Sequence, residues 1–273
     1  MATAHPQDLR PKTVVVLAMS ADGKISDRTR QPARFGSRAD RHHLEHQIAQ
    51  ADGVLIGANT LRAYQTSVTL QDPRLLAQRA AAGRSPQPWH WICSRSGQLD
   101  PNWRFFRQPL RRGLITTPGG AITAQDCAFE RVLTPPHSSG DAASAIAWPQ
   151  IWSQFHTLGI RQLAILGGGN LIASLAAIAA LDELWLTLCP YLIGGENAPT
   201  PYDGLGHLLT QAPQLELLSH RVVGQEVFLH YRFQTTVHPP THPPANPAAA
   251  ALPAAAAPDP PPEQSPPQTE STP

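Results

Sequence analysis

Three consecutive glycines, Gly167-Gly168-Gly169, constrain this chain more than any other feature, because of what flanks them. Leu163-Ala164-Ile165-Leu166 is a short apolar run of the kind that forms a strand buried on both faces. After the glycines, Asn170-Leu171 opens an Ala-rich apolar segment that predicts a helix to Leu181. Strand, glycine turn and helix start is an arrangement that receives phosphate. The glycines let the backbone come close, and the first N–H groups and positive dipole end of the helix face the anion. A plain turn needing φ > 0 gives the same pattern. The run is neither a P-loop, since no Gly-Lys-Ser/Thr follows, nor a full Rossmann fingerprint.

The rest of the chain supplies the context. Residues 13–19 (Thr-Val-Val-Val-Leu-Ala-Met) predict a buried strand, and Asp22-Gly23 a turn after it. Lys24 and Ser26 follow that turn, where open α/β sheets place ligands at strand ends. Further strands are expected over 53–57, 89–94, 113–117 and 131–133, and an alternating one over 182–189. Asp72-Pro73 marks a capped helix start, and Ser144 to Leu158 a helix after a loop over 135–140. Alternating strands at 215–221 and 226–233 around Val223-Gly224-Gln225 predict a closing hairpin. Several parallel βα units followed by an antiparallel pair make an α/β chain with a mixed, mostly parallel central sheet flanked by helices.

Ser37-Arg38-Ala39-Asp40 predicts a helix start of capping-box type, with Asp in the place of Glu or Gln, and the helix runs to about Gln50. It carries His42-His43-Leu44-Glu45-His46. His42 and His46 share a helix face and, with Glu45 as base, match an inverted zinc-hydrolase motif. Nothing marks a third ligand, so the favoured reading is a polar, His-rich helix surface and no metal.

The formal charge of +1 includes a C-terminal stretch, 235–273, that holds Asp259, Glu263 and Glu270 and no Lys or Arg. The body is therefore mildly basic, which suits a small anionic ligand and not nucleic acid. That stretch is rich in Pro and Ala and is expected to be disordered, as are residues 1–11 to be flexible. Cys93, Cys127 and Cys189 are odd in number and far apart, which argues against a disulfide framework and for the cytoplasm. No apolar run approaches the roughly 20 residues of a membrane span.

Five motifs in order carry a resemblance. They are Ala18-Met19-Ser20-Ala21-Asp22-Gly23-Lys24-Ile25, Asp52-Gly53-Val54-Leu55-Ile56-Gly57-Ala58-Asn59-Thr60, Asp72-Pro73-Arg74-Leu75, the three glycines, and Cys189-Pro190-Tyr191-Leu192-Ile193-Gly194-Gly195. Over about residues 14–233 the chain resembles the reductase half of the bifunctional riboflavin deaminase–reductases, without the deaminase half. The resemblance implies a dihydrofolate-reductase-like fold over 12–234, a homodimer, and NADPH as cofactor. It implies reduction of 5-amino-6-(5-phosphoribosylamino)uracil to its ribityl product. It assigns the dinucleotide to Ala18, Thr60, Ser94, Gly167, Gly168, Gly169, Asn170 and Leu171. Lys24, Arg74, Leu75 and Arg79 are expected on the substrate side, with Tyr64 and Asp72 as candidate catalytic groups. Some positions depart from the family: Leu166 stands where Glu is usual, Tyr64 where Asp is usual, and Ile48 where an arginine meets substrate. Two alternatives follow from the departures: a reductase of the same fold for a pterin-like substrate, or a nucleotide-binding protein without turnover.

Overall fold

The structure, a computed structural model, describes residues 9–135 and 146–234. The expectations for the C-terminal stretch from 235, for most of the 135–140 loop and for the first residues of the helix at Ser144 lie outside these. Nine strands form one sheet in the order β5-β4-β3-β2-β6-β1-β7-β9-β8. They are β1 (Lys12–Ser20), β2 (Gly53–Gly57), β3 (Trp89–Cys93), β4 (Arg111–Ile115), β5 (Arg131–Leu133), β6 (Gln162–Ile165), β7 (Glu183–Cys189), β8 (Leu215–Val223) and β9 (Glu226–Phe233). All pairings among the first seven are parallel; β9 runs antiparallel to β7 and β8 antiparallel to β9. The mixed sheet and closing hairpin agree with the sequence reading.

The helices are α1 (Arg38–Gln50), α2 (Ala58–Tyr64), α3 (Pro73–Ala81), α4 (Pro118–Thr123), α5 (Trp148–Thr157) and α6 (Gly169–Ala176). Two apolar cores follow from their placement. One gathers Ile48, Leu61, Leu75, Phe105 and Leu114 with α1 and α3; the other gathers Trp91, Ile151, Phe155, Leu171 and Leu175 with α5 and α6. Each wholly buried Phe155 or Ile151 contributes about 2 kcal/mol by leaving water. Opposite directions of travel put the two helix sets on opposite faces. From β1 the chain crosses past β6 toward β2, and from β6 it crosses past β1 toward β7. Right-handed crossovers then lay α1 on one face and α6 on the other.

Three local expectations change. The Ala-rich helix α6 stops at Ala176, not at Leu181. Ala180 N donates to Leu175 O at 2.9 Å and Ala179 takes φ 51°, so the chain turns in time to enter β7. The His-rich face of α1 is only partly solvated. His42 and His46 are exposed, but His43 is buried between Trp185 and Phe228, with ring centroids 4.8 and 5.4 Å away. Burial drives its pKa down to about 4, so this imidazole is a neutral core residue. At the N-terminus, Arg10 is held by a bidentate pair with Asp182, at 2.6 and 2.8 Å. No helix among the described residues is long and apolar enough to cross a membrane.

Candidate functional site

The sheet opens at one place. β6 pairs with β1 only as far as Val15 and with β2 only as far as Leu55. β1 continues beside β7 until Ser20 meets Cys189. The last five residues of β1 therefore lose their neighbour on the β6 side, where the chain directions diverge. Open α/β sheets bind ligands in this crevice, outside the carboxyl ends of the strands.

The three glycines stand at its mouth and divide their tasks. Gly167 has φ 102°, which only glycine adopts freely, and its carbonyl accepts from Gly57 N at 2.9 Å, tying the ends of β2 and β6. Gly168 is the N-cap of α6 in ordinary extended geometry and offers no side-chain cap, so the first N–H groups of the helix remain available. A Cβ on Gly168 would lie 3.2 Å from Thr60 Oγ1, which places the Thr60 hydroxyl directly across the mouth. Gly169 serves packing instead. A Cβ there would meet Thr200 O at 2.4 Å and the Asp203 carboxylate at 2.6 Å. The expectation that all three glycines open toward the anion is corrected to this extent: the 200–203 loop fills the space at Gly169.

Neighbouring strand ends continue the polar row. Ser94 is buried at the end of β3, where its hydroxyl accepts from Gly97 N at 3.2 Å. Arg62 on α2 bridges Asn59 Oδ1 at 2.7 Å and Gln98 O at 3.0 Å. Arg95 is exposed on the same loop as Gln98. Ala18 lies half-buried on β1 in register with Thr187.

Asp22 latches two of the sequence motifs together. It accepts from Ser20 Oγ at 2.6 Å, Ile193 N at 3.0 Å and Gly194 N at 2.6 Å. These donors, Ser20 foremost, hold its pKa down to about 2. Lys24 is half-buried beside this latch, with Nζ 3.4 Å from Ala198 O.

The substrate-side expectations fare less well. Arg79 is buried and donates to Ala49 O at 2.8 Å, Ala51 O at 2.7 Å and Ser85 O at 2.8 Å. Ala49 and Ala51 close the C-terminal end of α1 next to the start of β2, and Ser85 lies ahead of β3, so Arg79 stands at the opposite end of the strands from the crevice. The phosphate-side role is withdrawn for this reason. Leu75 packs into the α1 core. Asp72 caps α3 by accepting from Arg74 N at 2.9 Å and pairs with the exposed Arg74 guanidinium at 3.0 Å, so each occupies the other. Tyr64 reaches the rim of the site, but its hydroxyl donates to Ala33 O at 2.9 Å. Glu45 is buried and turns to Arg41 at 3.5 Å, and no group of three His, Cys, Asp or Glu residues fit for a metal forms among the described residues.

One partner was invisible to sequence reading. Ser37 caps α1, accepting from Ala39 N at 3.0 Å and Asp40 N at 3.3 Å, but its own N–H donates to Glu226 Oε1 on β9 at 2.7 Å, where a capping box would have it donate to Asp40. Nothing in the local sequence signals a partner so far along the chain.

Comparison with known proteins fits this geometry. The RibD C-terminal domain family matches residues 11–229. A 2,5-diamino-6-ribosylamino-4(3H)-pyrimidinone 5′-phosphate reductase of Archaeoglobus fulgidus is 26% identical over 196 residues, covering 72% of this chain and 88% of that protein. The protein of the same name from Methanothermobacter thermautotrophicus is 23% identical over 224 residues, covering 82% and 98%. Among solved structures, a pyrimidine reductase-like protein of Corynebacterium diphtheriae superposes with a TM-score of 0.70 at 19% identity, covering 83% and 93%, a likeness of fold.

Proposed function

The chain belongs to the RibD C-terminal domain family, and on that footing we propose that it is an NADPH-dependent reductase of riboflavin biosynthesis. Its substrate is a 6-(5-phosphoribosylamino)pyrimidine, reduced at the ribose C1′ of the open-chain imine to the ribityl product. The observation that carries this reading is the uncapped start of α6 facing Thr60 across the mouth of the β6–β1 crevice. The first N–H groups of α6 and the Thr60 hydroxyl are donors suited to a pyrophosphate. The nicotinamide, when bound, supplies hydride. The residues hold the cofactor and the substrate carbon in register, and that positioning is most of the catalysis required.

Arg62 and Arg95 favour NADPH over NADH. Arg62 and Arg95 follow the ends of β2 and β3 in the chain, and a 2′-phosphate brought there would find planar, permanently charged partners. The test is a spectrophotometric assay of cofactor oxidation with 5-amino-6-(5-phosphoribosylamino)uracil and with its 2-amino counterpart. Turnover with at least one is expected, with NADPH preferred, and Arg95→Ser should cut the NADPH preference about tenfold. NADPH binding without oxidation in the presence of either pyrimidine would sink the reading.

We place the enzyme in the cytoplasm, in keeping with three free thiols. We also read it as a homodimer through β8. This edge strand exposes Leu215, Leu217 and Val222, an apolar row that a lone sheet edge rarely shows. Leu217→Asp should halve the mass measured by light scattering; an unchanged mass would rule this face out.

A further inference from the structure

We propose that Glu226 is a positioning residue for the substrate: it moors residues 33–37 as a strap over the α1 side of the crevice, opposite the start of α6. The proposal deepens the reductase reading and rests on it. The strap has two moorings. At one end the hydroxyl of Tyr64, the last residue of α2, donates to Ala33 O at 2.9 Å. At the other, Ser37 donates to Glu226, the first residue of β9, through its N–H to Oε1 at 2.7 Å and through its hydroxyl to Oε2 at 2.5 Å. α2 follows β2 without a gap, and β9 begins where β7 ends, so both moorings lie at the carboxyl ends of the parallel strands. Between β2 and β9 come β6, β1 and β7, four steps of about 4.8 Å. Five extended residues reach about 14 Å from end to end, and the Tyr64 and Glu226 side chains make up the difference. The segment therefore crosses the place where β6 stops. Leu61 ties α2 to the α1 core, whereas α6 lies on the other face, so strap and α6 flank the crevice from opposite sides.

The Glu226 mooring is specific to a carboxylate. Glu226 is 4% exposed, and no Lys or Arg among the described residues forms an ion pair with it. A carboxylate out of water is costly unless its acceptor positions are filled. Three donors fill them here: the N–H and hydroxyl of Ser37, and the thiol of the buried Cys189 at 3.7 Å. Burial first, and then the Glu226 charge, push the pKa of that thiol up to about 12, so it stays a donor. The Ser37 hydroxyl already accepts from Ala39 N and Asp40 N, so toward Glu226 it can only donate. A glutamine would offer one oxygen to two Ser37 donors.

Between its moorings the strap carries Phe35, whose ring centroid lies 6.0 Å from that of Tyr191. Tyr191 belongs to the loop that Asp22 latches, and its carbonyl accepts from Ala21 N at 2.9 Å. The two rings thus join the strap to the loop after β7. With the dinucleotide on α6, the room left for the pyrimidine phosphate is on the strap side. A strap fixed at both ends keeps that side closed around the substrate; loosened at either end, it leaves the cofactor side as it was. Such positioning is felt from outside the reacting atoms, because a displacement of about 1 Å costs up to about a hundredfold in rate.

The full chain, with NADPH, is assayed on both pyrimidine phosphates, and their binding to the NADP⁺-loaded protein is titrated. Glu226→Gln detaches one Ser37 donor and should raise KM for the pyrimidine phosphate about tenfold, with kcat within about threefold and NADPH affinity unchanged. Tyr64→Phe frees the other mooring at an exposed position and should raise KM at least about threefold; this variant serves if Glu226→Gln does not fold. Both act through one strap, so the double variant should exceed the larger single effect by less than about twofold. Amide hydrogen exchange over 33–37 should quicken about tenfold in each single variant while exchange in β2 and β6 stays as in the wild type, a local change that a general loss of stability does not produce. An unchanged KM in either folded variant, an NADPH affinity that falls with that for the pyrimidine, or effects that multiply in the double variant overturns the proposal and leaves the reductase reading standing. A wild type that neither binds nor reduces either compound overturns both.

Discussion

Replacing Gly168 by aspartate is expected to abolish NADPH binding while the protein melts close to the wild-type temperature. The two effects separate because of the local geometry. Gly168 has φ −80° and ψ 171°, a conformation open to any residue, and the nearest atom to a new Cβ is Thr60 Oγ1 at 3.2 Å. Aspartate is also a better N-cap than glycine and interacts favourably with the positive end of α6. The fold therefore loses little. The cofactor loses much, because a fixed carboxylate then stands where its pyrophosphate must come. Two like charges about 4 Å apart near a protein surface repel by about 4 kcal/mol, close to a thousandfold in affinity. Fluorescence titration with NADPH beside a thermal melt measures both quantities. Unchanged affinity would show that the pyrophosphate lies elsewhere. Gly169→Ala gives the reverse pattern: its Cβ collides with Thr200 O and Asp203, at a cost of about 1–3 kcal/mol of stability.

Removing the Arg79 side chain has the second large effect, and it falls on stability. Arg79→Ala leaves the buried carbonyls of Ala49 and Ala51, and that of the exposed Ser85, without their donor. About 3–5 kcal/mol is expected from unsatisfied groups and the lost packing of the stem, or roughly 10 °C in Tm. Arg79→Lys should recover only part, since a single ammonium cannot reach three divergent carbonyls as a planar fork does. At a temperature where the variant is folded, KM for the pyrimidine phosphate should match the wild type. A raised KM with an unchanged Tm would return Arg79 to the substrate site.

Arg79 also shows where sequence reading stops. The family resemblance makes Arg79 the nearest match to a phosphate-side arginine, one residue out of register, but position along a helix does not tell which end of the strands the side chain reaches. β1, β2 and β6 were legible because strands buried on both faces are continuous apolar runs. The terminal hairpin was legible because its alternation breaks at Gly224. The glycine turn was legible as a turn, whereas the work of Gly169 depends on a loop thirty-odd residues further on. The cap of α1 is the sharpest case. Locally the Ser37 N–H belongs to Asp40, and only the arrival of Glu226, 189 positions on, takes that bond instead.

That link between Ser37 and Glu226 gives the protein an order of maturation. β1 precedes the other strands in the chain, yet it has no neighbour in the sheet until β6 and β7 have been made. Thr60, β6 and α6, which bound the crevice mouth, are all on the chain once Ala176 is added, ahead of the 200–203 loop that packs on Gly169. The start of α1 waits for β9, the last of the nine strands, before Ser37 is anchored by Glu226. A nascent chain thus carries β6, Thr60 and α6 well before β9 secures the start of α1.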